Sequence, residues 1–108
     1  MPKRALAIKK YKILFLPIAR RDLFEIGAFI AADSVNRALS YLDKVHSKIR
    51  LLSKHPKIGI IPKDKQLKAK GYRILIVDSY LVFYVIQKKI IKIRRILHGS
   101  RDLESIIL

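Results

Sequence analysis

Basic side chains and a histidine lie close together near the C-terminal end of the chain. The strand-like run Ile90–Leu97 has the sequence IIKIRRIL, and His98 follows it. A histidine can act as a base or an acid, and cations attract anions. Because side chains alternate between the two faces of a strand, Lys92, Arg94 and His98 are predicted to share one basic face. Together with Arg95, these cations are candidate residues for binding nucleic acid or another acidic target.

The net charge of the chain narrows the classes of partner. Its 108 residues include 24 Lys and Arg against 8 Asp and Glu, which gives a formal net charge of +16. Such a charge attracts anionic surfaces over a Debye length of roughly 8 to 10 Å, so a partner that neutralises it is expected. Charge alone does not separate an acidic protein from nucleic acid.

The composition also excludes several classes of covalent and metal chemistry. It contains no cysteine, which excludes disulfides, thiolate nucleophiles and cysteine-based zinc sites. We therefore expect no metal and no other cofactor. The N-terminal MPKRALAIKKYK lacks the apolar core of a secretory signal, and the longest apolar stretch is too short to span a bilayer. We expect a soluble, cytoplasmic protein that does not enter a membrane.

A second group of cations lies in residues 57–70, with the sequence KIGIIPKDKQLKAK. This stretch has no sustained apolar period, and its glycine and proline interrupt regular structure, so it is predicted to be a mobile basic loop. Lys65, Lys68 and Lys70 are candidate target contacts because a lysine-rich loop can follow a phosphate backbone. The alternative interpretation is a solvated loop without a site.

The N-terminal half is predicted to form one strand and two helices. Tyr11 to Leu16 is a short run of bulky residues that ends before a proline, as a strand does. Apolar residues then recur at helical spacing from Ile18 to about Ala32. Ser34 is the predicted N-cap of a second helix that ends at Lys54 or His55, before a proline. The short connection between the helices predicts an αα-hairpin.

The C-terminal half is predicted to form three strands, Tyr72–Val77, Tyr80–Gln87 and Ile90–Leu97. Two-residue connections allow only an antiparallel meander. The last residues are predicted to form a short helix with Asp102 near its start. The chain is thus predicted to be one α+β domain over residues 1–108. Its element order is β-α-α-β-β-β, with the helical hairpin packed on a curled antiparallel sheet.

Five segments in this order carry a family resemblance: LPIARRDLFEI (16–26), LSKHPKIG (52–59), GYRILIV (71–77), YLVFYVI (80–86) and IRRILHGSRDLESII (93–107). From residue 11 to the C-terminus, the chain resembles the RelE/ParE superfamily, the toxins of bacterial type II toxin–antitoxin systems associated with plasmid stabilisation. The resemblance implies a RelE/ParE-like fold and a toxin that arrests growth when free. It also implies a cognate acidic antitoxin as the partner.

The resemblance leaves two mechanisms open, because the superfamily has two functional branches on one fold. ParE-like members inhibit DNA gyrase by binding and need no catalytic group. RelE-like members cut messenger RNA on the ribosome by in-line attack of a ribose 2′-hydroxyl, without a metal. That reaction needs a base, cations for the charged phosphorane and an acid for the leaving oxygen.

Three residues are the catalytic candidates if the chain is a nuclease. Arg101 matches an arginine that nuclease members place beside the scissile phosphate, and Arg73 matches a basic position of their first C-terminal strand. His98 could serve as the base or the acid. The same leucine–histidine ending of the strand is typical of ParE-like members.

Three positions depart from the nuclease pattern. Leu81 occupies the position of a second essential arginine of those members, and Leu75 occupies the position of a lysine. Ile106 and Ile107 replace a C-terminal catalytic tyrosine. The run YLVFY is also closer to the ParE-like branch. We therefore favour gyrase inhibition, with the ribosome-dependent endoribonuclease as the alternative.

Each candidate also has a purely structural interpretation. Arg73, Arg95 and Arg101 can stack on tyrosine rings or pair with aspartates. His98 can be a hydrogen-bonded element that fixes a turn instead of a titrating catalyst. Asp22 is predicted to interact with the positive end of the first helix.

Overall fold

The computed structural model describes residues 10–100, which form a helical hairpin packed on one face of a four-stranded sheet. The elements in chain order are β1 (Lys12–Phe15), α1 (Pro17–Ala31), α2 (Val35–Arg50), a 3-10 turn (Leu51–Ser53), α3 (Lys65–Ala69), β2 (Tyr72–Val77), β3 (Tyr80–Gln87) and β4 (Ile90–His98). The strand order across the sheet is β1-β4-β3-β2. The predicted C-terminal helix, with Asp102, lies outside the described residues.

The helical hairpin forms where the apolar period predicts it. Pro17 occupies the first turn of α1, where its missing N–H removes no helical hydrogen bond. Ser34 caps α2 as predicted, because its hydroxyl accepts a hydrogen bond of 3.2 Å from the Arg37 N–H. Helical structure ends at Ser53, one residue before the predicted end. Within residues 10–100, none of the helices has the length and apolarity needed to cross a bilayer.

The main core lies between the hairpin and the sheet. One side chain in every turn of α1 and α2 points into it, and the sheet contributes the alternate residues of its strands. The largest fully buried member is Tyr84 of β3. The buried members are Ala19, Leu23, Ile26, Val45, Ile49, Leu52, Leu75, Val77, Val82, Tyr84, Ile91, Ile93 and Ile96.

The sheet combines the predicted meander with one parallel strand. β2, β3 and β4 pair antiparallel in sequence order, which confirms the meander and, to within one residue, its strand bounds. β1 pairs in parallel with β4, from Lys12 opposite Ile90 to Phe15 opposite Ile93. A parallel neighbour requires a long crossover, and α1 and α2 provide it while they cover one face of the sheet.

A β-bulge interrupts the pairing of β3 with β4. Tyr84 lies opposite Ile93, and Phe83 lies opposite Arg95. Arg94 is therefore an extra residue of β4 with no partner across from it in β3.

The bulge makes the prediction of one basic face on β4 wrong. Lys92, opposite Val85, and Arg94 lie on the side of the sheet away from the hairpin. His98 lies opposite Tyr80, which packs against the main core on the hairpin side. The inserted residue interrupts the alternation of side chains between the two faces of β4. His98 is therefore on the opposite face from Lys92 and Arg94.

Residues 57–70 contain regular structure, so the prediction of a mobile loop is wrong. Ile60 exchanges two backbone hydrogen bonds with Ile74 of β2, at 2.9 and 2.8 Å. Asp64 caps α3 by accepting a hydrogen bond from the Leu67 N–H at 2.9 Å. Leu67 is the buried residue of this five-residue helix. A single buried residue gives no apolar period, which explains why the sequence pattern did not reveal α3.

The Tyr84 hydroxyl links the segment after the 3-10 turn, at Pro56 and Gly59, to the sheet by two hydrogen bonds. Its hydroxyl donates a hydrogen bond to the Pro56 carbonyl at 2.7 Å and accepts one from the Gly59 N–H at 2.9 Å. Burial raises the pKa of Tyr84, which keeps the hydroxyl protonated and able to donate. A Cβ at Gly59 would lie 2.5 Å from the Tyr84 hydroxyl oxygen, so only glycine fits there.

We expect Tyr84→Phe to lower the free energy of unfolding by about 2 kcal/mol, because two backbone groups lose their hydrogen-bond partner. Urea denaturation followed by circular dichroism measures the change. Tyr80→Phe is the matched control, since the Tyr80 hydroxyl makes no hydrogen bond to any of residues 10–100. Equal unfolding midpoints for the two variants would contradict the role of Tyr84.

Candidate functional site

The candidate site is the face of the sheet turned away from α1 and α2, which we call the open face. α3 covers part of it through Leu67. Residues directly opposite each other in neighbouring strands share a face, so the register maps this surface. Its side chains are Leu14 on β1, Lys92, Arg94 and Leu97 on β4, Leu81, Phe83 and Val85 on β3, and Tyr72, Ile74 and Ile76 on β2.

The half of the open face near the β2–β3 turn is apolar. Ile76, Leu81 and Leu97 form one row across three strands, and Ile74 lies opposite Phe83 in the next row. Phe83 and Leu97 are buried, whereas the Ile76 side chain is 51% exposed. The accessible members of this group, Ile76 and the half-buried Ile74 and Leu81, present an uncharged surface that is suited to contact with a protein and cannot neutralise a phosphate.

The other half of the open face is basic. A cavity of about 260 Å³ lies where β2 begins, and we call it the basic cleft; its polar lining comes from Lys70, Gly71, Gln87 and Arg94. The Arg94 guanidinium lies over the ring of Tyr72, 5.7 Å from its centre. In the described part of the chain, neither Lys70 nor Arg94 is paired with a carboxylate.

The remaining lysines predicted to bind the target border this half. Lys92 precedes Arg94 by two residues on β4, so it points to the open face beside Arg94. Lys65 and Lys68 are exposed on α3, on either side of the Leu67 that packs on the open face. The structure therefore brings Lys65, Lys68, Lys70, Lys92 and Arg94 to one side of the sheet. Their role in target binding stays a prediction.

Arg95 is separated from this group. It makes a bidentate ion pair with Asp22 of α1, at 2.7 Å through Nε and 3.0 Å through Nη2. Asp22 is 9% exposed and also accepts a hydrogen bond of 3.0 Å from the Ile96 N–H. The hydrogen bond that Arg95 donates to Asp22 raises the pKa of Arg95, against the opposing effect of burial. The prediction that Asp22 interacts with the positive end of α1 is wrong, because its carboxylate is bound to β4.

Arg73 is hydrogen-bonded to the backbone of the segment after the 3-10 turn. It lies on the hairpin side of β2, opposite Tyr84, and donates hydrogen bonds to the carbonyls of Gly59 at 2.9 Å and Lys57 at 3.2 Å. Two of its donor positions are thus committed to the backbone, which agrees with the structural interpretation of this residue.

His98 ends β4 on the hairpin side. Its Nδ1 accepts a hydrogen bond of 3.1 Å from the Ser100 N–H and lies 2.8 Å from the Ser100 hydroxyl oxygen. Since a backbone N–H can only donate, Nδ1 is the acceptor of the bond from Ser100. The ring contacts Tyr80 edge to face, at 5.3 Å between centres. This geometry matches the interpretation of His98 as a hydrogen-bonded turn element.

The structure does not bring Arg73 and His98 together. Arg73 is opposite Tyr84 and His98 is opposite Tyr80, so they are four residues apart along β3 and on strands to either side of it. With about 3.3 Å per residue and about 4.8 Å between strands, their Cα atoms are roughly 16 Å apart. Arg101, the third nuclease candidate, lies outside the described residues.

The ion pair of Arg95 with Asp22 agrees with the structural interpretation of Arg95 as the partner of an aspartate, whereas the sequence motifs did not reveal the surroundings of His98. A small polar cavity of about 210 Å³ lies between α1 and the end of β4, with Asp22, Glu25, Tyr80, Arg95 and His98 in its lining. The burial of Asp22 could have been predicted from its place within the apolar stripe of α1, one residue before the buried Leu23. A carboxylate at such a position requires a cationic or N–H partner from the sheet.

Comparison with protein families matches residues 13–103 to the ParE toxin of the type II toxin–antitoxin system parDE. The chain belongs to this ParE toxin family. As a ParE family member, it shares the mixed α+β fold of helices packed on an open four-stranded sheet with solved toxin–antitoxin structures. No curated protein matches the sequence significantly.

Two solved structures show this likeness. The chromosomal ParDE toxin–antitoxin system from P. aeruginosa contains a chain that superposes with a TM-score of 0.70 at 17% identity, over 84% of this chain and 98% of that one. The RelBE2 toxin–antitoxin complex from Mycobacterium tuberculosis contains one with a TM-score of 0.55 at 26% identity, over 82% and 98%. The RelE/ParE superfamily resemblance is thereby confirmed.

We expect Asp22→Asn to lower the free energy of unfolding by about 3 kcal/mol, because Arg95 would keep a buried charge without its carboxylate. Asp78→Asn is the control, since Asp78 pairs with Lys44 at 2.9 Å but both side chains are about half exposed. The control variant should lose less than about 1 kcal/mol. Equal losses in chemical denaturation would show that the Asp22 pair does not hold α1 on β4.

Proposed function

We propose that this ParE family toxin arrests growth by binding DNA gyrase through the open face of its sheet. The observation that carries the proposal is the apolar half of that face, with Ile74, Ile76 and Leu81 as its accessible residues. An exposed apolar surface bordered by cations is typical of a protein contact with a polar rim.

The positions of the nuclease candidates support binding over catalysis. In-line cleavage needs a base, an acid and cations around one phosphate, within hydrogen-bond distance. Arg73 and His98 are roughly 16 Å apart at opposite ends of the hairpin side, by strand spacing. Leu75 is buried in the main core and Leu81 lies in the apolar half of the open face. Neither position supplies the cation that the nuclease branch carries there.

We further propose that a cognate acidic antitoxin neutralises the toxin. The chain has a formal net charge of +16, and both solved relatives are toxin–antitoxin complexes. An acidic segment that folds on binding would neutralise this charge and cover exposed apolar residues of the hairpin, such as Phe24 and Phe29. The two rings are 75% and 77% exposed.

His98→Asn separates the two mechanisms. Asparagine keeps an acceptor for the Ser100 N–H but removes the imidazole, so a toxin that acts by binding should still arrest growth. The measurement is growth after induction from a tight promoter, together with mapping of transcript ends and assay of gyrase-linked DNA breaks. Loss of arrest in a folded variant, or codon-phased cuts in transcripts made by the wild type, would support the endoribonuclease instead.

Ile76→Ser tests the surface itself. We expect this change to weaken binding to purified gyrase about tenfold, because it removes an exposed apolar contact from the apolar half of the open face. Leu39→Ser, at a residue 62% exposed on α2, is the matched control and should leave gyrase affinity unchanged. Surface plasmon resonance gives both affinities. An unchanged affinity for Ile76→Ser would exclude the open face as the gyrase contact.

A further inference from the structure

We propose that the basic cleft binds the phosphate backbone of duplex DNA. The toxin then recognises gyrase together with its DNA, so that the open face contacts protein with one half and DNA with the other. That this DNA is the segment held by gyrase rests on the proposed function. That the cleft binds DNA is independent of the proposed function, because it is argued from the residues and geometry of the cleft alone.

The cleft has the size and chemistry of a phosphate site. Its volume of about 260 Å³ lies between the start of β2 and the end of β3, with Lys70 on one side and Arg94 on the other. Gly71 adopts a φ of +82°, and a Cβ built there would meet no atom within 4 Å. The backbone at this point therefore leaves room for a phosphate to approach. Gln87 adds a side-chain amide that can donate a hydrogen bond.

The cations of the cleft are available to an anion. In residues 10–100, Lys70, Lys92 and Arg94 make no ion pair. The contact of Arg94 with the Tyr72 ring restrains its guanidinium without using its donors, which leaves them for two phosphate oxygens. Lys88, in the exposed turn after β3, adds a further positive charge at the same end of the sheet.

The aromatic residues of the open face favour duplex DNA over single-stranded RNA. Proteins bind single strands largely by stacking unpaired bases on exposed aromatic rings. Tyr72 is 4% exposed and lies under Arg94, and Phe83 is fully buried. The open face therefore offers cations to a backbone but no exposed ring to a base. Contact with phosphates alone is the mode in which proteins bind a duplex without reading its sequence.

The two halves of the open face adjoin along β2. Tyr72 and Ile74 are neighbours on the same face of β2, and they border the basic and apolar halves respectively. A target that fits both halves has an apolar protein surface beside a phosphate backbone. An enzyme with DNA bound presents that combination, whereas free DNA or free enzyme presents only one part of it.

Direct binding to DNA tests the cleft. The probe is a fluorescent duplex of about 20 base pairs, titrated with wild type and K70Q/R94Q at several salt concentrations. We expect the variant to bind at least tenfold more weakly and its log–log salt slope to fall by about 2. R20Q/K48Q is the matched control, since it also lowers the net charge from +16 to +14 but changes exposed cations of the hairpin. Equal losses in both variants, or tighter wild-type binding to an RNA strand of the same length, would overturn the proposal.

Binding to gyrase with and without DNA tests the combined target. We expect K70Q/R94Q to lose at least tenfold more affinity for the gyrase–DNA complex than for DNA-free gyrase, because only the complex supplies phosphates to the cleft. Equal affinity of wild type and variant for the complex would overturn the combined target. Failure of the wild type to bind gyrase in either form would contradict the proposal that gyrase is the target. The duplex titration would still show whether the cleft binds DNA.

Discussion

The buried carboxylate of Asp22 fixes the helical hairpin to the sheet where β4 departs from regular alternation. It accepts hydrogen bonds from the Arg95 side chain and from the backbone of Ile96, beyond the last residue that β1 pairs. This contact satisfies a backbone donor of β4 and compensates a buried charge. Because Arg95 is committed to α1, only the bulged Arg94 of these two adjacent arginines reaches the open face, beside Lys92. One ion pair and one inserted residue thus divide the basic end of β4 between two sides of the sheet.

This division of charge decides what the open face can do. In-line cleavage would need cations around a scissile phosphate. Here the half of the face near the β2–β3 turn is apolar and the cations lie in the other half, next to Tyr72. A surface of this kind is suited to binding with steering by charge, because the apolar part supplies affinity while the cations guide an anionic target.

Much of the fold was predictable because its signals are local. The apolar stripes of α1 and α2, the Ser34 cap and the two-residue turns of the meander each depend on neighbouring residues. α3 was missed because one buried leucine gives no period. The candidate site was only partly predictable: Lys70 and Arg94 line one cleft as members of a predicted basic group, whereas Arg73 and His98 do not meet. Their separation depends on register, which residue types do not specify.

The residue types were sufficient to establish a strongly basic chain, two amphipathic helices, three consecutive strands and a superfamily resemblance, since charge, period and turn chemistry are properties of the chain itself. They were not sufficient to establish which cations share a surface. That outcome required the inserted Arg94, the parallel addition of β1 beside β4 and the capture of Arg95 by Asp22. The bulge is a matter of register between β3 and β4, and the other two contacts join segments far apart in the chain. Long-range pairing therefore determined that the toxin has an open face with an apolar half and a basic half.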